Sequence, residues 1–133
     1  MLSLPSPVKI FLCAQPVDLR RSFDGLAAIA RDGLGEDPLS GDWFVFRNRR
    51  GDRMKILMWD RDGLLLVYKR LEEGVFRFPT PAANAKSVQV TTQELSLLLW
   101  GIDPSSVQRQ KRYVRPTPKI DETSVGSATH ATR

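Results

Sequence analysis

The sequence is poor in the residues from which most catalytic and metal sites are built. It contains a single cysteine, Cys13, and a single histidine, His130. One cysteine cannot close an internal disulfide, which fits a reducing compartment. Without a flanking His or Asp motif, Cys13 reads as a small apolar core residue. A histidine this near the C-terminus leaves no Ser-His or Cys-His pairing in the core. Neither a P-loop nor a GxGxxG turn occurs. No apolar run approaches the roughly 20 residues of a membrane span, and the first residues lack the long apolar stretch of a secretory signal. The expectation is a cytoplasmic chain with no cofactor and no membrane contact.

What is present is basic charge and a dense run of strand-forming residues. The 133 residues make one domain. Lys and Arg number 20 against 15 Asp and Glu, a net charge of +5 that favours an acidic partner such as nucleic acid. From Trp43 to Phe78, Val, Ile, Phe, Trp and Tyr crowd into four runs, 43–47, 53–60, 64–71 and 75–78. The runs are separated by Asn48-Arg49-Arg50-Gly51-Asp52, Asp62-Gly63 and Glu73-Gly74. Asp-Gly is a strong hairpin signal, because a type I′ turn needs positive φ at both central residues.

Taking these as turns sets a register, and the register sorts side chains by face. Trp59 is then opposite Leu66, Lys55 opposite Arg70, Arg47 opposite Arg53, and Arg70 opposite Arg77. One face collects Phe44, Phe46, Met54, Ile56, Met58, Leu65, Val67, Leu71, Phe76 and Phe78, with Lys69 the basic exception. The other is basic at one end (Arg47, Arg53, Lys55, Arg70 and Arg77) and aromatic-aliphatic at the other (Leu57, Trp59, Leu66 and Tyr68). An antiparallel sheet with one core face should look like this. Arg49 and Arg50 stand on the adjoining loop.

Flanking segments supply the rest. Residues 8–14 read as a strand, and residues 87–90 as a short one. Asp18 caps a helix reaching about Asp32, with Leu19, Phe23, Leu26, Ala27 and Ala30 on one stripe. Gly25 inside it suggests the close approach of another backbone. Arg20 and Arg21 read as a solvated face rather than a phosphate site. Thr91 and Glu94 form a capping box, with Val90 and Leu95 placed as a hydrophobic staple. That second helix carries Leu95, Leu98, Leu99 and Ile102, with Trp100 off the stripe. The expected fold class is α+β: an antiparallel meander of four to five strands with two helices packed on one face. Residues 1–103 form the domain, and 104–133 a basic, Pro-containing, disordered tail.

Three functions compete on these residues. A nucleic-acid site would use Arg47, Arg49, Arg50, Arg53, Lys55, Arg70 and Arg77, since basic side chains interleaved with aromatics suit a phosphate backbone. A protein-interaction module would use Leu57, Trp59, Leu66 and Tyr68 as an apolar patch. A small metal-dependent nuclease would use Asp60 and Asp62. That D-x-D is better read as turn chemistry, because spacing offers no further ligands.

Several separated motifs then carry a family. Val17-Asp18-Leu19-Arg20-Arg21-Ser22-Phe23-Asp24-Gly25-Leu26 is followed by the run from Phe44 to Leu57, by Trp59-Asp60 and Gly63, by Lys69-Arg70-Leu71-Glu72, and by Phe76-Arg77-Phe78-Pro79. In this order they resemble the small accessory protein of the insertion-sequence-sixty-six family, over about Leu4 to Pro116. The family usually has Trp where this chain has Phe78. The resemblance implies a bacterial mobile element in which a separate, larger transposase cuts the strands. The small protein would then be a non-catalytic accessory to transposition, with that transposase as the partner the resemblance implies and DNA as the one the basic residues suggest. It supplies no catalytic residues and no metal ligands to carry over.

Overall fold

A computed structural model describes residues 8–103, 108–109 and 111–116. The first strand, β1 (Ile10–Cys13), is buried along its whole length. It leads through a crossover containing α1 (Phe23–Ala28), which runs on into a π-helical turn at Ile29–Gly33. The chain then forms β2 (Trp43–Arg47), β3 (Arg53–Asp60), β4 (Gly63–Arg70), β5 (Ser87–Val90) and α2 (Thr92–Trp100). Two short strands, β6 (Ile102–Asp103) and β7 (Gln108–Arg109), pair with each other. The main sheet has the order β4-β3-β2-β1-β5.

The α+β class is present, with an arrangement that differs from a simple meander. β1 pairs parallel to β2, Ile10 opposite Trp43, and antiparallel to β5. A parallel pair needs a crossover rather than a hairpin, and α1 supplies it. The helices lie on opposite faces. Phe11, Phe44, Phe46 and Leu57 pack with Leu26 and Ala27 of α1 and with Ala30 of the π-helical turn, and the Phe11 and Phe44 rings stack at 5.7 Å. Ile10, Leu12, Val45, Met54, Ile56 and Met58 pack on the other side with Leu95 of α2. Phe44 and Ile56, expected in one core, therefore lie in two.

The register explains the difference. β2 and β3 pair as Arg47↔Met54 and Val45↔Ile56, one residue from the expected Arg47–Arg53 pairing. Asn48 faces Arg53 in this register, and its Oδ1 accepts the Arg53 N–H at 3.0 Å. The Asn48 N–H also donates to the Arg53 carbonyl at 3.2 Å, so Asn48 closes the ladder opposite Arg53 and the loop is one residue shorter than expected. That slip turns β2 over relative to β3. At the next hairpin, Asp60 pairs with Gly63 and Leu57 with Leu66. The turn residues are Arg61, at φ 56°, and Asp62. This shift is by two residues, so the faces of β3 and β4 stay as expected.

Residues 75–78 are not a strand. Gly74 turns the chain with φ +88°, and the Phe76 N–H donates to the Gly51 carbonyl at 2.8 Å. Phe76 is thereby drawn into the α2-side core. β4 is left as the sheet edge, and Val67, expected inside, is 44% exposed.

α2 has its capping box: the Glu94 N–H donates to Thr91 Oγ1 at 3.0 Å, and the Thr91 N–H to Glu94 Oε1 at 2.9 Å. Gly101 ends it at φ 79°. The Arg112 guanidinium donates to the Leu98 and Leu99 carbonyls at 3.2 and 2.8 Å and lies 5.2 Å from the Phe76 ring centroid. Lys69 Nζ also donates to the Leu99 carbonyl, at 3.0 Å. A Cβ on Gly101 would come within 2.8 Å of the Arg112 guanidinium carbon. Part of the stretch expected as a tail thus packs against the domain, while residues 117–133 lie outside the described ones.

The expected Asp18 cap does not reach the helix, which begins five residues later. Its Oδ1 accepts the Arg20 N–H at 3.0 Å, whereas α1 begins after Ser22 with no side-chain cap. Gly25 faces the Arg21 side chain, 3.1 Å from a built Cβ, and not another backbone.

Candidate nucleic-acid interface

The loop between β2 and β3 is held rigidly by its own side chains. Asn48 Oδ1 accepts from the Gly51 and Arg53 amides, both at 3.0 Å. Asn48 Nδ2 donates to Asp52 Oδ1 at 2.7 Å. Gly51 sits at φ +80°, a conformation that favours glycine. The loop is tied outward by Phe76 N–H to Gly51 O and by Leu71 N–H to Asp52 O, each 2.8 Å. Arg49 and Arg50 project from this frame, both exposed.

A second loop docks beside it. The Val17 N–H donates to the Arg47 carbonyl at 2.8 Å, which brings Asp18, Leu19 and Arg20 against the first loop. Between them lies an open cleft of about 560 Å³, with Arg20, Arg50, Arg53 and Lys55 among its walls. It adjoins a smaller one of about 330 Å³ that Arg49 and Arg50 help to line.

Two carboxylates stand among these cations, and both are engaged. Asp18 binds Arg20 at 2.7 Å, and the Arg20 side chain holds its pKa down to about 2. Asp52 is lowered by its bond from the Asn48 amide, with smaller contributions from Arg50 and Arg53. Arg53 Nη1 donates to the Tyr68 hydroxyl at 3.1 Å. Among the described residues, Arg49 and Arg50 have no ion pair.

Of the seven basic residues expected at the site, five on one face and two on the adjoining loop, the fold gathers Arg50, Arg53 and Lys55 in the larger cleft and Arg49 in the adjoining one. Lys55 lies in the cleft floor rather than projecting from it. It is 7% exposed, its ammonium donates to the Arg21 carbonyl at 2.8 Å, and it lies 4.7 Å from the Tyr68 ring centroid. Arg70 faces Arg53 across the ladder, but it is bridged to Glu72 at 2.9 Å and lies outside the cleft. Arg77 is exposed elsewhere. Arg47 belongs to the opposite face because of the β2 slip. It donates to the Ala14 carbonyl at 3.1 Å and covers the Phe78 ring at 5.2 Å.

The expected apolar patch is also dispersed. Leu57 is fully buried in the α1-side core. Leu66 is half-buried against that core, Trp59 is half-buried, and Tyr68 is 49% exposed. Asp60 and Asp62 are exposed at the hairpin turn. Among the described residues no group of three or more His, Cys, Asp or Glu is placed to hold a metal ion. No described helix is long and apolar enough to cross a membrane.

Sequence reading missed the contribution of Arg20, which it treated as solvated, and of Asn48, which orders the loop. The motif around Arg20 was visible; its docking on the β2–β3 loop depends on a contact between distant segments.

The model of the family described as IS66 Orf2 like protein matches residues 8–109. The chain is 42% identical over 110 residues to the uncharacterized protein y4jC of Sinorhizobium fredii, covering 83% of this chain and 92% of that one. It is 36% identical over 103 residues to the uncharacterized protein y4hO of the same organism, covering 77% and 88%. No solved structure matches the chain significantly. Its residues, in the order of the family's motifs and across most of its length, make it a member of the IS66 Orf2-like family, accessory proteins of a transposable element.

Proposed function

We propose that the protein serves transposition by gripping a nucleic-acid phosphate backbone at the cleft between its two arginine-bearing loops. The observation that carries this reading is the pair Arg49 and Arg50, exposed on a rigid loop without an ion pair among the described residues, beside Arg53 and Arg20. Asp18 and Asp52 are ionised and offset part of this charge, Asp18 chiefly at Arg20, which leaves Arg49 and Arg50 as the exposed cations of the site. Phosphate is the ligand class that gains most from arginine's forked donors. Contacts of this kind position a duplex without reading bases.

The protein then acts in the cytoplasm without cofactor or catalysis, and strand cutting falls to the larger transposase that the resemblance implies. Metal-dependent DNA cleavage by the wild type, lost in Asp60→Asn with Asp62→Asn, would overturn the non-catalytic part.

Binding is tested by titrating DNA of unrelated sequences at several salt concentrations. Three phosphate contacts give a slope of log affinity against log salt of about −2.7. Arg49→Ala with Arg50→Ala should reduce it to about −0.9, while Arg77→Ala, outside the cleft, should leave it unchanged. A double variant that binds as the wild type does would refute the site.

A second reading has its own observation. Trp100 is 67% exposed and Tyr113 52%, and both line a cleft of about 400 Å³ with Lys69, Arg70 and Arg112. Exposed aromatics beside arginine are typical anchors of protein interfaces. On this reading the transposase docks there. Loss of transposase capture in Trp100→Ala, with DNA binding intact, would separate the two sites.

A further inference from the structure

β4 is an edge strand with little protection. Natural edges are blunted by Pro, bulges, inward charges or covering segments. β4 has no Pro, its pairing with β3 runs without a bulge from Arg53↔Arg70 to Asp60↔Gly63, and its charges lie only at the Lys69-Arg70 end. Residues 75–78, which would cover it in a meander, instead cross to the α2 side.

The ladder shows which backbone groups are free. Leu71, one residue past β4, donates to the Asp52 carbonyl. Inward-bonding residues alternate along an antiparallel pair, so Gly63, Leu65, Val67 and Lys69 bond to β3. Leu64, Leu66, Tyr68 and Arg70 point their N–H and C=O groups outward. Among the described residues, no backbone hydrogen bond joins these four to another segment. Val67 and Tyr68 add exposed apolar surface at 44% and 49%.

We propose that β4 is a self-association edge through which two copies of the chain pair antiparallel about a twofold axis at Leu66. The sequence of the strand is self-complementary in that register. Leu66 meets Leu66, Leu64 meets Tyr68, and Leu65 meets Val67. Asp62 of each copy meets Arg70 of the other, so the cationic end of one strand lies on the acidic turn of its partner. The registers two residues away fail on charge or burial: one opposes Arg61 to Lys69, the other Leu65 to Lys69. The pairing is isologous, so it closes at two copies. The edge adjoins the arginine cleft through Tyr68, which lines it and accepts from Arg53, but Val67, Asp62 and Arg70 lie outside the cleft, so variants there read self-association separately from DNA binding.

Sedimentation equilibrium on the full chain tests it. The wild type should dimerise. Val67→Lys, at an exposed position that leaves the β3 pairing intact, should raise the dissociation constant about tenfold or more. Asp62→Arg and Arg70→Asp should each weaken self-association by about tenfold, since each puts like charges together twice. Mixing those two variants should restore a heterodimer with wild-type affinity, because both cross-pairs are then complementary. Amide exchange at Leu64, Leu66 and Tyr68 should slow as protein concentration rises. A wild type that stays monomeric at its highest soluble concentration overturns the proposal, as does a dimer indifferent to Val67→Lys and to the charge swap.

Discussion

The two sides of the sheet hold their helices by different means. α1 spans six residues, and its N-cap residue Ser22 makes no side-chain bond. Yet Leu26, and Ala30 in the π-helical turn that continues it, are fully buried. α2 has a capping box, a left-handed glycine at its C-terminus and cations on its last carbonyls. Yet Leu95 is its one fully buried residue, with Leu98 and Leu99 half-buried and Trp100 largely exposed. Helices this short are marginal alone. One is stabilised by burial and the other by its ends. The difference teaches that cap signals and core importance are separate properties, and that a strongly marked helix can be the more peripheral one.

The largest effect that would break this comparison lies in the cores. Leu26→Ala should cost about 3–5 kcal/mol, since it opens a cavity under tightly packed small residues. Leu98→Ala should cost under about 2 kcal/mol, because solvent or neighbouring side chains can take the space. Chemical denaturation of both variants measures this, and equal losses would show that the two sides are alike.

A smaller effect sharpens the other half. Thr91→Ala should cost about 1 kcal/mol by removing the cap. Ser22→Ala should change stability by only a few tenths, since Ser22 makes no capping bond. A comparable loss at both positions would contradict the division of roles.

The smallest effect is electrostatic and concerns the approach to α1. The Asp18 pKa is depressed from 3.8 to about 2 by Arg20. A carboxylate depressed in the folded state contributes stability above its unfolded pKa and loses it as pH falls through the folded one. The contribution should therefore be present above pH 4 and fade towards pH 2. Asp18→Asn should flatten acid denaturation in that window, slightly, because the pair is exposed. An unchanged profile would show that the Arg20 contact does not persist in solution.

Legibility followed the range of the interactions. The capping box is a contact between residues three apart, and it was read correctly down to its partners. β2 and β3 were placed within their observed bounds, because strand propensity is carried by the residues themselves. The face assignment of β2 failed for a specific reason. Val45 and Phe46 are both buried, so alternation carried no information about which side faced which helix. The remaining clue was loop length, and the loop closes one residue earlier than its composition suggests, with Asn48 bonded to Arg53 through both backbone and side chain. With that register, Arg47 pairs with Met54 and leaves the basic group.

The candidate site divides in the same way. Arg49 and Arg50 were legible as a basic pair on a turn. Their company was not, since Arg20 reaches them through a crossover between parallel strands. Parallel pairing leaves no short turn signal, because its connection is a dozen or more residues long. Composition, turn residues and local caps determined that this chain is a basic α+β domain with a strand-rich centre. Its motifs, in order, determined its family. Only the tertiary structure decided that both sheet faces are covered, that Lys55 and Leu57 lie inside, and that β4 is left as an open edge. Those outcomes depend on contacts between distant segments, which local patterns in the sequence do not record.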